Sequence, residues 1–143
     1  MLADLKFPIG EFDRDFEVTA EARRSRIEII NELPDKVAAA VADLTDGQLD
    51  TPYRPGGWTV RQTVHHLADS HSNSLTRFKL ALTEDTPPTI KPYYEERWAE
   101  LADSKLPINV SQAMLRAIHV RWSALLGSMT DADFQKSFIH PET

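Results

Sequence analysis

Three of the chain's five histidines, His65, His66 and His71, fall within one stretch, GGWTVRQTVHHLADSH, at residues 56–71. Imidazole is the side chain best suited to moving protons near neutral pH, and in its neutral form it ligates zinc, nickel and similar ions. Cysteine is absent from the 143 residues, so disulfides, thiolate nucleophiles and cysteine-held zinc are excluded together. A metal in this chain has only His, Asp and Glu to hold it.

Helical geometry separates the three imidazoles. Thr59 and Gln62 have the spacing of a capping box, which predicts a helix starting there. Each residue of that helix turns by about 100° around the axis. His71 falls on the apolar stripe of Val60, Val64, Leu67, Leu75, Phe78 and Leu82, and is expected to be a hydrogen-bonded core histidine. His65 shares its face with Arg61, Asp69, Ser72, Thr76 and Lys79, a set expected to face solvent. His66 is flanked by Thr59, Thr63, Ser70, Asn73 and Ser74, all short and uncharged. Solvent faces ordinarily recruit long charged side chains, so this strip reads either as the wall of a site or as an ordinary polar edge.

Two ligands from one helix to one ion stand three or four residues apart. His66 and His71 diverge by about 140°, and His65 and His66 by about 100°, so this helix offers one ligand. His119 is expected on the edge of a later helix and His140 in the terminal turn, and neither forms an H-x-x-x-H pair. Asp69 reads either as a carboxylate orienting the His66 ring or as a surface charge.

The elements that must position these residues are helical. Apolar spacing predicts long helices near 19–44, 59–83 and 109–129, the first running in phase across Pro34, with a short helix near 95–103. Residues 1–18 read as an extended arm, and TDGQLDTPYRPGG as a loop. The result is an all-α bundle in one domain spanning 1–143. The formal net charge is −6 with no basic run, which argues against nucleic acid and anionic membranes as partners. No signal peptide or spanning segment is read, so a cytoplasmic protein is expected.

The blocks PIGEF, TPYRPGGWTVRQTVHHLADSH, RFKLALTEDTP, KPYYEERWAELADSK, RWSALL and HPET resemble the YfiT-type branch of the DinB-like family, in register over nearly the whole chain. That resemblance implies a four-helix bundle, up-down-down-up, holding one divalent metal through three histidines. It implies a metal-dependent hydrolase that activates water. The superfamily also implies alternatives, namely an S-transferase using a bacterial thiol such as bacillithiol, or a metal- or small-molecule-binding helical module without catalysis. Zinc or nickel, a small-molecule substrate and a homodimer are expected with it. The family's first ligand, the second histidine of the HH pair, falls on His66. Its other two lie on a fourth helix after the HPET turn, where this sequence stops at Thr143. The expectation is therefore a DinB-like bundle whose fourth helix is missing and whose domain is incomplete at its C-terminal end.

Overall fold

The structure, a computed structural model, describes residues 5–142. The periodicity in the sequence appears as three long helices, α1 (Ala20–Val41), α3 (Val60–Thr83) and α5 (Ile108–Ser128). Two single-turn helices, α2 (Asp46–Leu49) and α4 (Glu95–Trp98), lie in the connections, with 3-10 turns at Ala102–Lys105 and Asp133–Gln135. Helix α5 packs against both α3 and α1. Among the described residues no helix is long and apolar enough to cross a membrane.

Each long helix starts or continues for a local reason. Thr19 caps α1 by accepting from the Ala22 amide at 3.0 Å. At α3 the capping box forms in full: Gln62 N–H donates to the Thr59 hydroxyl, and Thr59 N–H donates to the Gln62 side-chain oxygen, both at 3.0 Å. A tight turn delivers Trp58 to this cap, closed by Tyr53 N–H donating to the Trp58 carbonyl at 3.1 Å. Gly56 sits in that turn at φ +72°, a conformation that costs glycine nothing because it has no Cβ.

Helix α1 runs through Pro34, which is buried. Proline has no N–H to give the carbonyl four residues back, here that of Ile30. That carbonyl accepts instead from Nδ1 of His119 on α5, at 2.5 Å. The break in one helix is thus repaired by its neighbour, and the repair ties α1 to α5.

Two apolar clusters hold the helices together. One gathers Leu75, Ile118, Trp122 and Leu126, with Ile27, Ile30, Phe78 and Phe134 against them. The other joins Val41, Leu49 and Val64, with Leu44, Val60 and Ile108.

The expectation of a four-helix bundle lacking its fourth helix is corrected here. Among the described residues the fold is all-α with five helices, three of them long. Part of the apolar surface of the long helices is packed by segments outside them. Leu49 comes from α2, inside the supposed loop TDGQLDTPYRPGG, and Phe134 from the tail. Helix α2 carries its own capping box, Thr45 with Gln48, a signal as clear in sequence as the one at Thr59. The tail also returns to the body, where Ile139 N–H donates to the Pro88 carbonyl at 2.8 Å and Ile90 N–H to the Ile139 carbonyl at 3.0 Å.

Thr59→Ala removes one half of the α3 cap and should cost about 1 kcal/mol. Thermal melting should show this as a fall of about 2–4 °C for a domain of this size, with the helical signal unchanged.

Candidate functional site

Helix α3 carries His65, His66 and His71 to three different environments. His65 was expected at the surface, and the structure reverses this: it is buried. Its Nε2 donates to the Leu106 carbonyl at 2.8 Å, and its Nδ1 accepts from the Ser111 hydroxyl at 2.5 Å. A carbonyl can only accept, so the proton of His65 resides on Nε2. Both nitrogens are then occupied.

The same face of α3 holds Arg61, also buried. Its guanidinium donates to Asp50 at 2.7 Å, to Asp46 at 3.1 Å and to the Leu106 carbonyl at 3.3 Å. The Arg61 hydrogen bond holds the Asp50 carboxyl below its usual range. This face looked solvated because its side chains are polar. It is covered because the long connection after α3 folds back across it and presents Leu106. A cavity of about 560 Å³ opens beside Arg61, Asp46, Asp50 and Gln62, and none of the histidines lines it.

His71 was expected in the core and hydrogen-bonded. It is half-buried, and its Nδ1 meets Nε2 of His119 at 2.6 Å. The two rings lie 4.8 Å apart, each packed edge-on against Trp122. His119, expected at a helix edge, is only 2% exposed. Burial, then the neighbouring His119, pushes the His71 imidazole down to about 4. Burial likewise lowers His119, against the opposing effect of the Ile30 carbonyl. Both rings are neutral at neutral pH.

His66 is half-buried with its ring against Trp58, centroids 4.7 Å apart. It makes no hydrogen bond to another described residue. Burial lowers its pKa, while the carboxylates of Glu95 and Asp69 act in the opposite direction. Asp69 is half-buried rather than a plain surface charge. Its carboxyl is raised by burial and by Asp103, and lowered by His66 and His65. Tyr93, missed in the sequence, comes in from the connection with its ring stacked 4.3 Å from Trp98. Its phenol is raised by burial, with the Ser70 hydroxyl opposing. The surroundings of His66 thus assemble from α3, the turn before it and the segment around α4. The signal in sequence was the length and poor regularity of the connection after α3, a mark of functional loops, though nothing named the residues it would deliver.

These groups can bind and orient a polar ligand, and His66 has the neutral, unengaged imidazole that a divalent metal requires. A whole donor set does not form here. Among the described residues no three His, Cys, Asp or Glu side chains stand close enough to hold an ion. His140 bonds its own neighbourhood, accepting from the Glu142 amide at 3.3 Å.

Comparison with known proteins adds to this geometry. The sequence profile of the DinB superfamily matches residues 29–143. A protein of Bacillus mycoides named "Putative metal-dependent hydrolase" is 56% identical over 142 residues, covering 99% of this chain and 82% of that protein. One of Bacillus cereus bearing the same name is 56% identical over 140 residues, covering 98% and 80%. The solved structure of YfiT from Bacillus subtilis superposes with a TM-score of 0.91 at 51% identity, covering 97% of this chain and 79% of that one. It is described as "a probable metal-dependent hydrolase with an unusual four-helix bundle topology". The arrangement of three long and two short helices is therefore one that superposes on a solved relative.

The lowered His71 and His119 fix the sign of a pH effect. Each histidine protonates near 6.5 when unfolded and only at lower pH when folded. Their contribution to stability is complete above 6.5 and is lost as pH falls from there toward about 4, the value for His71. Chemical denaturation across that interval should show a steeper loss for wild type than for His71→Leu.

Proposed function

Because this chain belongs to the DinB superfamily, we propose that it is a metal-dependent hydrolase acting on a small molecule, with His66 as a ligand of the metal. The hydrolase reading is supported by the relatives, which carry that description and align along nearly the whole chain. The observation that carries the choice of His66 is its chemical state. Of the three imidazoles on α3, it alone has both nitrogens free of hydrogen bonds to described residues, and burial keeps it neutral.

Imidazole suits zinc and nickel equally well, and either is the metal of this proposal. One imidazole is an incomplete donor set, in line with the absence of any three-residue cluster among the described residues. What this chain's own residues do is nevertheless definable. Trp58 covers one side of the His66 ring and restricts its rotation. Glu95 and Asp69 place negative charge near it, which favours a cation approaching that nitrogen. Ser70 and Tyr93 supply hydroxyl groups one turn farther along α3, where a polar substrate can be oriented. The family resemblance adds two further partners to the proposal, a low-molecular-weight bacterial thiol and a second copy of the chain.

Zinc and nickel binding, read by equilibrium dialysis on wild type and on single alanine variants, tests the ligand. His66→Ala should lose bound metal, while His65→Ala should lose stability and retain metal in the fraction that stays folded. Equal metal content in His66→Ala and wild type would remove the assignment. Hydrolysis of a p-nitrophenyl ester should require added metal. The same assay with a thiol acceptor in place of water separates hydrolysis from S-transfer.

A further inference from the structure

The bond that repairs α1 at Pro34 also sets the protonation of two rings. The Ile30 carbonyl can only accept, so His119 carries its proton on Nδ1 and presents a lone pair at Nε2. His71 meets that lone pair through its own Nδ1 at 2.6 Å, so in the neutral pair Nδ1 of His71 must be the donor. The remaining nitrogen of His71, Nε2, is then an unprotonated lone pair. It makes no hydrogen bond to another described residue, and the ring is half-buried rather than enclosed.

An imidazole whose first nitrogen is anchored by a buried partner has its tautomer and orientation fixed, which is how proteins prepare the second nitrogen for use. A relay that served only to join helices would end on an engaged group. His65 shows that form on the same helix, with both nitrogens taken.

We propose that Nε2 of His71 is a second working group beside His66, a fixed hydrogen-bond acceptor for the O–H or S–H of water or a bound substrate. This rests on the reading of the His66 surroundings as the functional site. His71 follows His66 by five residues, about 7.5 Å along the helix axis and about 140° around it. Ser70 and Ser74 lie on the helix face between them. The open group is an acceptor, and a hydroxyl or thiol, which can donate to it, is the chemical class that matches.

The test uses the full chain without metal, carrying isotope-labelled histidine. Ring-nitrogen NMR at neutral pH should place the proton on Nδ1 of His71 and His119, and on Nε2 of His65. Diethyl pyrocarbonate, which among histidines acylates those with an accessible unprotonated nitrogen, should modify His71 and spare His65 and His119, as mapped by mass spectrometry. His119→Gln keeps an N–H for Ile30 and an oxygen for His71, and should preserve the His71 tautomer. His119→Leu removes both and should convert His71 to a mixture of tautomers. If the leucine variant does not fold, wild type and the glutamine variant decide. Titrated 2-mercaptoethanol, carrying both an O–H and an S–H, should shift the Nε2 signal of His71. A proton on Nε2 of His71, protection from acylation, or no shift with 2-mercaptoethanol would overturn the proposal. Zinc added to a separate sample, read at the ring-nitrogen signals of His66, tests the metal reading. No change there, with the His71 results intact, would remove the metal reading and leave this one standing.

Discussion

A carbonyl that its own helix cannot satisfy organises much of this molecule. Pro34 continues α1 but supplies no amide hydrogen to Ile30, and an unpaired buried carbonyl costs on the order of 1–3 kcal/mol. His119 answers that carbonyl from α5, and His71 answers His119 from α3. The three long helices are therefore joined by a directional chain of polar contacts as well as by the apolar clusters. Apolar packing tolerates small slides between helices, whereas a hydrogen bond of this kind does not. Trp122, in edge contact with both rings, closes the apolar side of the chain.

The second organising group is the Leu106 carbonyl. It accepts from both Arg61 and His65, and so holds the end of the long connection against α3. That anchoring has a consequence for chemistry. The connection brings Tyr93, Trp98 and Glu95 toward the face where His66 sits, and Gln62, beyond its capping role, donates to the Ala99 carbonyl at 3.1 Å. A helix cap, an ion-pair network and a buried histidine thus act together to give the half-buried His66 imidazole its surroundings.

The electrostatic setting of that imidazole is a balance. Burial disfavours the charged ring and nearby carboxylates favour it, and burial is the larger effect. The ring stays neutral, and a cation approaching it meets negative charge from Asp69 and Glu95. Asp69 is itself raised, first by burial and then by Asp103.

The sequence by itself determined the helices. Apolar spacing showed three long ones, the Thr59 cap set the start of one of them, and the phase across Pro34 showed one continuous helix. It left the strip of short uncharged neighbours beside His66 open between the wall of a site and an ordinary polar edge, and its family blocks carried the superfamily assignment. These are local properties, set by residues within a turn or two of each other. Tertiary structure alone decided the fates of the other histidines. A polar face reads the same whether water or a returning loop covers it, so His65 looked exposed until Leu106 and Ser111 met it. His119 looked peripheral because its partner is a carbonyl on another helix, left open by a proline 85 positions away in the chain. Leu49 and Phe134 entered the core from segments too short to show a period. Periodicity reports which side of an element is apolar, but only the packed chain determines what lies against the other side.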